Sequence, residues 1–314
     1  MTAADAPNAE LVTAETSPAA SETTEIQAEE APQQQVELSP ALEFLSRAGL
    51  MQKLEPLRIL NLEMRKENPN VQELFPLIEE NADFLKRYLK FANGGWFNTR
   101  VQVDSPYMAF TRFGTAGFYK ITLAAFLSEA IGELTTKFRI WPHLQLVARM
   151  GEFMAQQLAP KFADDLFAAG LLHDAVVAPM QRELQDYLYF LECALNSDPL
   201  VTGLENRCHA FDHAQASGEL ARALAFEDHL VEAVAAHHNE SMSSVSVGDA
   251  RVVLGLLLAT KRAMWMKRTE KRQAFETATE KALLSDIAAA LGVSQGRVLH
   301  AISEVVEMIK LQEG

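Results

Sequence analysis

Cysteine is nearly missing: the chain of 314 residues carries only Cys193 and Cys208. Two thiols cannot build a disulfide scaffold or a Cys-rich zinc module, and they suit a reduced compartment. No Lys or Arg precedes Arg47. A secretory leader needs a positive start followed by an apolar stretch, so none is expected. Long apolar runs are missing too. The longest, Val252 to Ala259, falls far short of the roughly 20 residues of a spanning helix. Strand-type alternation is confined to Val101-Gln102-Val103, too short to set a strand. Positive charge is scarce: 28 basic residues face 42 acidic ones, for a net charge of -14. A surface so acidic excludes non-specific nucleic-acid or anionic-membrane binding by the whole molecule, because phosphate polymers need clustered cations. A cytoplasmic protein without a membrane span is expected.

What is there is apolar and helical. Hydrophobic residues make up 48% of the chain, enough for a large core. Residues 1–40 stand apart: they hold eight acidic residues, no Lys or Arg, and no aromatic. Such a segment cannot bury enough apolar surface to offset chain entropy, and it reads as a disordered acidic tail. From Ala41 on, apolar residues recur at helical steps, as in Leu54-Leu57-Leu60 and Phe84-Tyr88-Leu89-Phe91,. Amphipathic runs follow near 115–134, 141–158, 162–172, 178–195, 212–225 and 228–238. Three longer helices are expected near 247–268, 274–291 and 294–311. The sum is an all-α fold, with a helical domain over 41–245 and a C-terminal helical extension over 246–314 packed on it.

Eight histidines carry the chemistry worth weighing. His143 lies at a helix start. His173 and Asp174 end an apolar helix in LFAAGLLHDAVV. His213 opens a helix with Asp212 as N-cap, and His237 and His238 end the next one,. Imidazoles with a carboxylate are ligands for Zn, Fe, Mn or Ni. Two such ions about 3.5 to 4 Å apart would activate water for phosphoester hydrolysis. The plainer alternative is a set of capping and core histidines, each satisfied by a buried carbonyl or carboxylate.

The order H…HD…H…HH on consecutive helices resembles the HD superfamily of metal-dependent phosphohydrolases. The flanking sequence is closer to one branch, the HDOD domain. LIEENADFLKRYL resembles that family's "LIExDPALxxxLL", and LKRYLKFANGGWF its "LLRLANSAxY", with Ala92 and Asn93 in place. Gly114 of SPYMAFTRFG matches the Gly of "AIxxLG"; AGLLHDAVV, FDHAQASGELA and VEAVAAHHN fill the remaining positions. The resemblance spans roughly 45 to 242. It implies a multi-helical HDOD/HD-like domain and a bacterial signalling or regulatory module. The departures point the same way. Active HD-GYP relatives follow His-Asp with Ile-Gly-Lys; here Ala175-Val176-Val177 follows. The superfamily's late Asp has no counterpart near Thr260, and Asp249, beside Gly248, reads as a helix N-cap. The resemblance therefore leaves His143, His173, Asp174 and His213 as a degenerate metal set, with His237 and His238 as further cleft residues. No cofactor is expected, a weakly held divalent ion aside. The expected role is a non-catalytic scaffold, a pseudoenzyme acting through a protein partner and open to a nucleotide or other small ligand. A metal-dependent phosphohydrolase is the alternative.

Three other features need an account. SDIAAALGVSQGRVLHAISEVVEMI looks like a helix-turn-helix, which makes a DNA-binding regulator a further alternative. Its second helix offers Gln295, Arg297 and His300 but also Glu304 and Glu307, which would face phosphate poorly,. Lys261, Arg262, Lys267, Arg268, Lys271 and Arg272 form a basic patch around Trp265, suited to a phosphate, an acidic partner, or the acidic tail itself,. Gly94-Gly95-Trp96-Phe97 is a turn followed by two large aromatics.

Overall fold

The computed structural model of the chain describes residues 38–94, 101–132, 139–194, 199–239, 241–271 and 273–313. Most of the acidic tail, the Gly95-Trp96-Phe97 turn, Glu240 and Arg272 lie outside them. The helices run α1 (Pro40–Arg47), α2 (Leu50–Lys53), α3 (Glu55–Met64), α4 (Phe75–Glu79), α5 (Ala82–Ala92), α6 (Pro106–Ile131), α7 (Ile140–Leu158) and α8 (Ala163–Leu172). They continue as α9 (Val177–Glu183), α10 (Tyr187–Ala194), α11 (Pro199–His209), α12 (His213–Ala223), α13 (Asp228–Ala235), α14 (Asp249–Thr269), α15 (Ala278–Leu291) and α16 (Gln295–Glu313). Among the described residues there is no strand.

Local chemistry sets most boundaries. Ser39 caps α1, so the first helix begins inside the segment expected to be tail. Ser105 caps α6, which starts earlier than the apolar run near 115 suggests, and Gly114 breaks its helical path at φ 69°. Asn93 ends α5 and reaches across to Val103: its amide donates to the Val103 carbonyl at 2.8 Å, and its oxygen accepts from the Val103 N–H at 2.6 Å. The run expected as one helix over 178–195 is two, parted where Asp186 adopts φ 63°. The apolar spacing of Tyr187 and Phe190 continues across this break, which hides it from periodicity. Asp249 is the first residue of α14 rather than its cap; Gly248, at φ 92°, holds the cap position.

Residues 38–314 form one compact unit. Within it α14 is central and packs against α7, α8, α13, α15 and α16. Val253, Leu254, Leu256 and Leu257 are fully buried, each stabilising by about 1.5–3 kcal/mol. The segment resembling a helix-turn-helix packs one face inward. Gly292 takes the left-handed C-cap of α15. The buried face of α16 holds Val298, Ala301, Ile302 and Val305, and the helix lies on α14 and α7. Arg297 donates to the Gln157 carbonyl at 3.1 Å.

Two helix pairs are drawn together by glycine. A Cβ on Gly170 of α8 would lie 2.4 Å from Ala148 Cα of α7, and one on Gly218 of α12 would lie 2.6 Å from Ala235 Cβ of α13. Neither approach tolerates a side chain, and the two pairs carry the histidines.

Candidate metal centre

Each site residue sits at a helix end. His143 occupies the first turn of α7. His173 is the C-cap of α8, and Asp174 follows it. His213 is the first residue of α12, behind a capping box in which Asp212 accepts from the Gln215 N–H and the Gln215 side chain reaches back, an arrangement worth about 1 kcal/mol. His237 and His238 lie in the turn just beyond α13, which ends at Ala235 rather than at 238.

These residues converge on Asp174. Its Oδ2 lies 3.4 Å from His143 Nε2 and 3.2 Å from His173 Nε2. Its Oδ1 lies 3.4 Å from His213 Nε2 and 3.2 Å from His237 Nε2. His238 Nε2 is 2.9 Å from His213 Nε2. Two ligand sets therefore share one carboxylate: His143, His173 and Asp174 on one side, and Asp174, His213, His237 and His238 on the other. The sequence-based set of His143, His173, Asp174 and His213 is divided by Asp174, and His213 belongs with the two histidines counted only as cleft residues.

The rings are aimed. His173 Nδ1 lies 2.9 Å from the Gly170 carbonyl, and His237 Nδ1 lies 2.7 Å from that of Val234. A carbonyl only accepts, so each Nδ1 carries the proton and each Nε2 turns its lone pair to the centre. His173 Nε2, His237 Nε2 and Asp174 Oδ1 are buried with no hydrogen-bond partner. An unmet buried polar atom is costly in a folded protein, and here three belong to one cluster. The 2.9–3.4 Å spacings fit neighbouring ligands on an ion with bonds of about 2.0–2.1 Å. The donor set, imidazole-rich with one carboxylate, suits a divalent transition metal.

Electrostatics distinguish the rings. Burial pushes His173, His237 and His238 toward the neutral form, and the charge of Lys261 adds to this. Burial also opposes a charged His213, but the Glu205 carboxylate and Asp174 outweigh it and lift that imidazole to about 10. Burial opposes ionisation of Asp174, yet the imidazoles of His173, His143 and His213 hold its carboxyl well below the usual range. Thr260, near the place of the late Asp, is buried and donates to the Leu256 carbonyl at 2.8 Å.

The described cations of the basic patch have varied partners, and Arg262 and Lys271 both lie over the Trp265 ring. Lys261 acts on the imidazoles just named. Arg262 pairs with Glu280 at 2.8 Å and lies over the Trp265 and Phe275 rings. Lys271 pairs with Glu276 at 3.0 Å. Lys267 and Arg268 occupy the last turn of α14, where cations offset the helix dipole. Outside the cluster, His229 meets Asp165 at 3.3 Å and His300 meets Glu304 at 3.6 Å.

Sequence reasoning missed Glu205 and Tyr187, which stand behind His213. Glu205 lies on α11, a helix without a clear apolar pattern, and is fully buried. Nothing in the spacing of GLENRCHAFDH marks that glutamate as an inward one.

Comparison with known proteins agrees with the fold. Two solved structures share the fold. A "Putative phosphohydrolase" from Shewanella amazonensis superposes with TM-score 0.60 at 16% identity, over 82% of this chain and 94% of that one. An HDOD domain protein with unknown function from Geobacter sulfurreducens gives TM-score 0.62 at 14% identity, over 84% and 95%. No curated protein matches by sequence. Among the described residues, no helix is long and apolar enough to cross a membrane. The sequence model of the HDOD domain matches residues 56–240; with the helical fold and the H…HD…H…HH cluster in place, the chain belongs to the HDOD domain family.

Proposed function

We propose that this protein is a signalling module whose His/Asp cluster binds a divalent transition-metal ion and acts through a protein partner rather than by hydrolysis. One observation carries the metal part: buried His173 Nε2, His237 Nε2 and Asp174 Oδ1 face one another without hydrogen-bond partners. An ion bound there supplies positive charge that meets these lone pairs. The residues it would join belong to α7, α8, α12 and α13 or the turns that follow them, so occupancy would tie the two helix pairs together. The non-catalytic part rests on charge. Asp174 is the only carboxylate in either ligand set among the described residues, and Lys261 adds positive charge nearby. Two dications beside Asp174, with only Glu205 behind His213 as a further buried carboxylate, would still leave uncompensated charge in a buried site, which is costly,.

One observation favours a second reading, a metal-dependent phosphohydrolase: Asp174 offers a separate oxygen to each ligand set, as a shared bridge in a two-ion centre would. Metal analysis by mass spectrometry, on protein purified without tag or chelator, tests both. About one ion per chain, lost in Asp174→Asn, with no turnover of phosphodiesters, supports the signalling reading. No metal above background removes the metal part. Phosphodiester hydrolysis that disappears in Asp174→Asn replaces it with the hydrolase.

A further inference from the structure

His213 is held unlike its neighbours. His173 and His237 rest their Nδ1 atoms on backbone carbonyls of their own helices. His213 Nδ1 instead lies 2.7 Å from Glu205 Oε2, and the same oxygen accepts the His213 backbone N–H at 3.0 Å. The other oxygen, Oε1, accepts the Tyr187 hydroxyl at 2.5 Å. Tyr187 and Glu205 are both buried, and they come from α10 and α11, helices outside the ligand sets found among the described residues. Three donors on a fully buried carboxylate fix its plane, and that plane fixes the imidazole. With Nδ1 committed to Glu205, only Nε2 can face Asp174, 3.4 Å away, and His238, 2.9 Å away.

A carboxylate behind a ligating imidazole does more than a carbonyl does. It orients the ring and also draws the Nδ1 proton toward itself, which makes Nε2 the stronger electron donor. We infer that Glu205, seated by Tyr187, is a positioning residue for His213 and makes the His213–His237–His238 side of Asp174 the tighter of the two metal-binding sides. This rests on the metal reading given above. It adds a polar chain from Tyr187 through Glu205 and His213 to Asp174, which ties the α10–α11 segment to occupancy of the centre.

Glu205→Gln keeps the shape and removes the charge. Co(II) titration followed by visible absorption reads the ligand field directly. The expected result is binding about 10–100-fold weaker than wild type, the usual cost of losing such an outer partner, with displaced absorption bands. Tyr187→Phe should shift both in the same direction by less, and it guards against a folding defect in the first variant. Far-UV circular dichroism of the metal-free proteins checks the fold. A second readout needs no metal: the ¹⁵N resonances of the His213 ring should show a protonated, hydrogen-bonded Nδ1 in wild type and move in Glu205→Gln. Unchanged ring resonances overturn the positioning role. Co(II) binding within about twofold of wild type, with the same spectrum, overturns the tighter side. If wild type takes up no Co(II), the metal reading and the tighter side fall together, and the ring resonances alone decide whether Glu205 holds His213.

Discussion

The imidazoles around Asp174 and the cations near the end of α14 are both clusters of polar residues near helix ends, yet the first converges on one carboxylate while described members of the second pair with separate acids. The histidines lie far apart in the chain, at the ends of α7, α8, α12 and α13, and their ring nitrogens meet within 3.4 Å of one carboxylate. The cations are near neighbours in the chain, four of them on α14, where successive residues turn by about 100°,. Arg262 meets Glu280, and Lys271, beyond the helix, meets Glu276, with the Trp265 ring between the two cations as a shared contact. Density along the chain is therefore a poor guide to a site. Convergence needs several elements whose ends are aimed at one point, and it needs joints that hold them there.

That contrast can be broken at three levels. The largest effect is expected from Asp174→Asn, which removes the charge shared by both ligand sets. Metal affinity measured by calorimetry should fall beyond the ~10–100-fold of an outer-shell change; a smaller loss would mean the imidazoles hold the ion without it. The glycine joints come next. Gly170→Ala places a methyl against Ala148 backbone, whereas Gly218→Ala meets the Ala235 methyl first. Urea unfolding should show losses of about 3 and about 1–2 kcal/mol, toward the two ends of the overpacking range. Equal losses would show that both joints yield alike. The smallest effect belongs to the second set. Burial opposes ionisation of Glu280, but the N–H groups of Thr277 and Glu276 and the Arg262 guanidinium hold its carboxyl down at about 2, from an ordinary 4.5. Its contribution is thus complete above pH 4.5 and lost as pH falls through 2. Glu280→Gln should flatten the acid limb of the melting temperature slightly; an acid limb as steep as that of wild type would remove the pair from the account.

Much of this was legible in the sequence, for physical reasons that differ by residue. The order of His143, His173-Asp174, His213 and His237-His238 stands out because here each lies at a helix end, and caps such as Asp212 mark those ends. The two-sided division around Asp174 was not legible, since it depends on which carboxylate oxygen each ring faces. Glu205 and Tyr187 were hidden for a related reason: burial of a carboxylate follows from contacts between distant segments, and no periodicity announces it. The break at Asp186 was masked by apolar residues that keep their helical spacing across it.

Gly170 does two jobs with one residue. Its Cα sits against Ala148, which sets how close α7 and α8 approach. Its carbonyl receives the His173 Nδ1 proton, which sets where that ring points. Gly170 and His173 share α8, so the ring travels with that helix, and the Gly170–Ala148 contact sets how near α8 carries it to His143 on α7. One small residue thus acts as a spacer: it fixes the gap across which the His143 and His173 rings face each other.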